Sequence, residues 1–137
     1  MQAHPVRLSP RDDLRRALEA ELTRLGAQAA FVVQGIGSLE VAQLRFAGAD
    51  APTELRADLE ILTLAGSLSP DGAHLHMSVA DPRGRVWGGH VTPGCIVRTT
   101  AEILLALLPA HRFARAFDPA SGFNELFISG AADTRQP

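Results

Sequence analysis

The sequence predicts an α+β domain, a largely antiparallel sheet with one helix packed against it near the start of the chain. Three observations carry that prediction. Leu14, Leu18, Leu22 and Leu25 recur at spacings of four, four and three, which places them in one apolar stripe on a helix. Beyond Gly26 the period changes: AAFVVQGIG, LEVAQLRFAG, LEILTLAGSLS, AHLHMSVAD and RVWGGHV are short apolar or alternating runs broken by Gly, Pro, Asp and Ser. The chain has 137 residues, 46% of them hydrophobic and 20% charged, which is enough for one core and too little for two.

Taken in order, the helix over Asp12 to Leu25 has Ser9, before Pro10, as its expected cap and Gly26 as its stop. Gly35-Ile36-Gly37 follows an apolar run as a dinucleotide-binding loop would. However, Glu40 stands where the third glycine belongs, and the alternating LEVAQLRF follows, so a tight hairpin between two strands is expected. VRTTAEILLALLP reads two ways. Thr99 and Glu102 have capping-box spacing, while the threonines and β-branched residues suit a strand, which is the reading adopted. The domain is expected over residues 7–130, with 1–6 and 131–137 as terminal extensions, the latter polar and frayed.

Composition excludes several classes. A net charge of −2 advertises neither nucleic acid nor an acidic membrane. The single Cys95 cannot form an internal disulfide, so a reducing cytoplasm is the simpler location. MQAHPVRLSPRDD lacks the apolar run of a signal peptide, and the most apolar stretch, Ile103 to Leu108, is too short to span a bilayer.

Asp81-Pro82-Arg83-Gly84 lies between two alternating runs. A three-residue loop of Pro82, Arg83 and Gly84 gives Pro82 its fixed φ in a type I turn and Gly84 the left-handed position, closing the hairpin at Asp81 opposite Arg85. His76 then lies opposite His90, while Leu75, Met77 and Val79 lie opposite Val91, Gly89 and Trp87. His74 shares the face of His76 because side chains alternate along a strand, and opposed residues share a face. Two histidines at i and i+2 occur by chance on any exposed strand. The third, placed opposite by the turn, makes His74, His76 and His90 a candidate site for a divalent metal, zinc first, with one open coordination position. Gly88 and Gly89 leave space beside them for an ion, a water or another backbone.

Glu60 and Glu102 are candidates to assist a metal-bound water or to orient a histidine ring, and equally to cap or to pair with an arginine. No Ser or Cys has the context of an activated nucleophile, and Cys95 reads as well for packing as for chemistry. His4 and His111 read as surface residues. Arg83-Gly84-Arg85 has the core of a minor-groove AT-hook but lacks its following proline, so the turn reading prevails. A cupin's His-x-His expects a glutamate a few residues later, and Ser78 to Ala80 supply none.

Six segments in order resemble the plants-and-prokaryotes-conserved (PPC) domain: Gly-x-Gly-Ser-Leu from Gly35, Leu-Glu-Ile-Leu-Thr-Leu-Ala-Gly from Leu59, His-Leu-His, Gly-Gly-His, Thr-Ala-Glu from Thr100, and Phe-Asp-Pro-Ala-Ser-Gly-Phe-Asn-Glu-Leu from Phe117. The resemblance implies a mixed, mainly antiparallel sheet, assembly as a homotrimer, and a metal-binding role for His74, His76 and His90. In plants such a domain accompanies AT-hooks that contact DNA while it mediates assembly. This chain has no AT-hook or basic tail, and DNA affinity rests mostly on Lys and Arg neutralising phosphates. Arg7, Arg11, Arg15 and Arg16 are the arginines that could gather on one face. Two functions are therefore expected to compete: a metal-binding assembly or regulatory protein with DNA or a protein as partner, and a zinc-type metalloenzyme that activates water at the open position.

Overall fold

The computed structural model describes residues 1–130. Its elements are β1 (Gln2–Leu8), α1 (Leu14–Arg24), β2 (Ala30–Arg45), β3 (Thr53–Ser69), β4 (Gly72–Ala80), β5 (Val86–Val91), β6 (Ile96–Leu107), β7 (His111–Asp118) and β8 (Phe123–Gly130). Six strands form one sheet in the order β1-β6-β2-β3-β4-β5, and β7 and β8 form a separate hairpin. Every strand pairing among the described residues is antiparallel, where the resemblance implied a mixed sheet. The expected tail at 131–137 lies outside the described residues.

The helix forms where its leucine stripe has a sheet to face. Leu14, Leu18 and Leu22 are buried, packed with Leu39, Leu44, Leu64, Leu68 and Leu105 from the strands. Each fully buried leucine contributes about 2 kcal/mol of apolar transfer. The N-cap is Asp13 and not Ser9. The Asp13 carboxylate accepts from Arg16 N at 3.2 Å and from Gly94 N at 2.7 Å, so a contact made across the fold selects the cap. Gly26 ends the helix at φ +63° as expected.

Two segments depart from the sequence expectation. Residues 1–6, read as an extension, are mostly in β1, which pairs with β6 from Gln2↔Leu107 to Leu8↔Ala101. Pro5 is tolerated there because β1 is an edge strand, where proline is ordinarily found. Gly35-Ile36-Gly37 is not a hairpin but the middle of β2, a 16-residue strand. A Cβ on Gly37, at φ +146°, would run into the backbone of Thr100 and Ala101, so the glycine admits the close approach of β6. VRTTAEILLALLP is a strand, most of it β6.

The run of β2 positions the site. β6 lies beside β2 as far as Val41↔Ile96, and β5 takes over at Leu44↔Val91 and Arg45↔His90. The sheet thereby curls until β5 meets β2. One tie between helix and sheet has a measurable signature. His4 donates to Glu21 Oε1 at 2.7 Å, and Arg24 donates to both Glu21 oxygens at 2.7 Å. These bonds, Arg24's first, hold the Glu21 carboxyl at about 2 against an ordinary 4.5. A depressed carboxyl stabilises the fold above pH 4.5 and loses that contribution as pH falls toward 2. Because Arg24 is largely exposed, the contribution is about 1 kcal/mol. Glu21→Gln is expected to flatten the fall of the urea midpoint between pH 4.5 and 2.

Candidate metal centre

The site is built on the β4–β5 hairpin. Asp81 N donates to Arg85 O at 2.9 Å, Gly84 N donates to Asp81 O at 2.8 Å, and Gly84 has φ +76°. The Asp81 carboxylate accepts from Arg83 N, Arg85 N and Arg85 Nε, which fastens the three-residue loop. The register is the one the turn predicts: His76↔His90, Met77↔Gly89 and Val79↔Trp87. Val91 pairs instead with Leu44 of β2. Leu75, Met77 and Val79 are buried in the core, so the alternation of β4 turns His74 and His76 outward.

The three histidines meet. Their candidate ligand nitrogens all lie within 4.8 Å of one another, and His74 Nε2 stands 3.2 Å from His76 Nε2. Ring centroids are separated by 5.1 Å (His74 to His76), 5.0 Å (His74 to His90) and 5.7 Å (His76 to His90). Nitrogens about 2.05 Å from a tetrahedral zinc stand roughly 3.3 Å apart, so one edge of the ligand triangle is already at that spacing. The donor chemistry fits as well. Burial, then the Arg115 charge, pushes His74 below its ordinary value. Burial, then His74 and Arg45, pushes His90 down to about 4. At neutral pH both rings are therefore uncharged, the form in which imidazole ligates.

Neighbouring strands fix the histidines through glycines. Gly66 of β3 sits between the partners of His76 (Ala65) and His74 (Ser67). Its φ is +148°, and a Cβ there would fall on the His74 carbonyl. A Cβ on Gly89 would lie 2.7 Å from the Arg45 carbonyl oxygen. Of the occupants the sequence allowed beside Gly88 and Gly89, a second backbone lies against Gly89.

Glu60 and Glu102 lie elsewhere. Glu60 is opposite Ala80 at the far end of β4, and Glu102 lines a separate cavity with Pro5, Val6 and Ile36. The carboxylates near the triad are Asp71 and Glu125, which share with His74 and His90 a cavity of about 560 Å³. That cavity also holds Arg15, Arg45 and Arg115, which come from α1, β2 and β7 and have no common signature in the sequence. Cys95 is fully buried against Gln43, and burial pushes its thiol up to about 11, which makes it a packing residue. Among the described residues no helix is long and apolar enough to cross a membrane.

The fold has counterparts in known proteins. A hypothetical protein of Salmonella enterica is 39% identical, with a TM-score of 0.92 over 95% of this chain and 94% of that one. The metal-containing protein of Archaeoglobus fulgidus is 27% identical, with a TM-score of 0.77 over 93% of this chain and 94% of that one. A protein of Ralstonia eutropha whose name proposes DNA binding shares the fold at 22% identity, with a TM-score of 0.78 over 91% of this chain and 90% of that one. The bifunctional protein GlmU of a Synechococcus strain is 49% identical over 132 residues, 96% of this chain but 21% of that protein. The chain thus spans about a fifth of the curated relatives it matches. The Plants and Prokaryotes Conserved (PCC) domain model matches residues 1–109, from β1 through β6 and including all three histidines, and the chain belongs to that family.

Proposed function

We propose that this domain is a metal-binding assembly module: a homotrimer in which His74, His76 and His90 of each copy hold one divalent metal, zinc first. The observation that carries the metal is the convergence of three imidazoles on one outward face, with ligand nitrogens within 4.8 Å. The name of the Archaeoglobus relative supports it. Metal analysis tests it: one equivalent per chain in the wild type and none in His76→Ala is the expected result, and a metal-free wild type after exposure to zinc and cobalt would overturn it.

Assembly is supported by apolar surface that a lone copy leaves in water. Phe31, Val33, Ile36, Leu62 and Leu104 are exposed along β2, β3 and β6, and Phe117, Phe123, Phe127 and Ile128 are exposed on the β7–β8 hairpin. A surface rich in such residues suits burial between identical copies. Sedimentation velocity is expected to give a trimer, shifted toward monomer by Ile36→Asp. A monodisperse wild-type monomer would contradict it.

A regulatory role with DNA or a protein as partner rests on the Ralstonia relative's name and on the family. The net charge of −2 gives the chain no general attraction for a phosphate backbone, which favours a protein partner. The second reading, a zinc-activated water, is favoured by the open position such a site leaves beside a cavity of about 560 Å³. In that reading Asp71 and Glu125 are nearer candidates for proton transfer than Glu60 and Glu102. The buried thiol of Cys95 fits a cytoplasmic setting.

A further inference from the structure

A metal on the histidines would bring the cavity beside them a charge that its side chains leave uncompensated. Arg15, Arg45 and Arg115 line it with Asp71 and Glu125, and Glu19 pairs with Arg15, so the side chains balance before any metal is bound. A divalent ion on the histidines, which bring no negative charge of their own, would leave a surplus of two positive charges. Like charges in a partly desolvated cavity repel strongly unless an anion joins them.

Each arginine is anchored next to a histidine. Arg45 is the β2 partner of His90. Arg115 donates to Ser67 Oγ at 2.8 Å, and Ser67 is the β3 partner of His74. Arg15 donates to the Val91 carbonyl at 3.2 Å, one residue from His90, while Glu19 takes its Nε at 3.0 Å. Among the described residues Arg45 and Arg115 form no ion pair with a carboxylate, and guanidinium groups placed this way suit a carboxylate or phosphate group. Phe123 lines the same cavity and gives it an apolar side for an organic body.

From these placements we infer that the cavity is a binding site for a small oxyanion, a carboxylate or phosphate, held by Arg45 and Arg115 with Arg15 behind them. One anion oxygen takes the metal position that the histidines leave open. This rests on the metal reading above only for that last contact, since the arginines stand whether or not a metal is bound.

The test titrates inorganic phosphate and, separately, malonate into the metal-free and the Co²⁺-loaded protein, reading heat in both and the visible cobalt spectrum in the latter. Saturable binding is expected, with a change in the cobalt bands, and the tighter of the two anions identifies the source. Arg45→Gln and Arg115→Gln are each expected to weaken the anion by about tenfold, the size of one charge-assisted contact, while Co²⁺ affinity holds or rises because a nearby positive charge is gone. Arg45 is exposed, so its variant decides the matter if Arg115→Gln does not fold. A Co²⁺-loaded protein that responds to neither anion up to about 10 mM, the weak end of meaningful affinity, would overturn the inference and leave the metal reading standing. If no Co²⁺ is taken up, the metal reading fails instead. Arginine-dependent heat in the metal-free protein would then keep the oxyanion site, and its absence would remove it.

Discussion

Zinc added to the chelator-stripped protein at about 100 times its Kd is expected to raise Tm by about 10 °C, and to raise that of His76→Ala by about 2 °C or less. The size follows from mass action. A ligand at that excess adds about 2.7 kcal/mol to the folded state, and a domain of this length gains roughly 3–4 °C per kcal/mol. His76 is the most exposed of the three histidines, so in the proposed site its removal would cost the metal a donor without opening the core. His74 and His90, held neutral, surrender no proton on binding, so the zinc effect at pH 7 is expected to persist at pH 8. Equal thermal shifts in the two proteins would mean that the metal binds elsewhere.

Gly66→Ala is expected to cost about 3 kcal/mol and to weaken metal binding together with stability. Its φ of +148° is one that side chains rarely adopt, and the added methyl meets the His74 carbonyl. Relief would require β4 to move away from β3, and β4 carries two of the three proposed ligands. Gly26→Ala is the natural control. Gly26, after the helix and away from the histidines, also has positive φ, +63°, but nothing lies within 4 Å of its would-be Cβ, so about 1 kcal/mol of strain is expected and no change in metal affinity. Urea titrations and zinc calorimetry of the two variants make the comparison. A Gly66→Ala protein as stable as Gly26→Ala would contradict the close β3–β4 approach.

The contrast between these positions explains what could be read from the sequence. The histidine register was legible because a short loop fixes it: Pro82, Arg83 and Gly84 determine which residues oppose each other with no help from the rest of the fold. The leucine stripe of α1 was legible for the same reason. Gly35 and Gly37 were misread as a turn because strand continuity there depends on β3 and β6, which hold β2 from both sides. Asp13 displaced Ser9 as the cap because Gly94, 81 residues away, donates to it. The arginines around the cavity come from α1, β2 and β7, and no local period links such positions. Glu60 and Glu102 lie away from the histidines, and it is the β3–β4 turn with Asp71 and the separate β7–β8 hairpin with Glu125 that reach them instead. Gly66 carried a usable signal, since a lone glycine within a strand marks a close backbone approach.

X-ray absorption at the zinc edge of the loaded protein tests the central claim most directly. Three imidazole nitrogens at about 2.0–2.1 Å with one further light ligand is the predicted shell, falling to two imidazoles or losing the metal in His76→Ala. A shell of six oxygens with no imidazole scattering, or one unchanged in His76→Ala, would contradict a metal held by His74, His76 and His90.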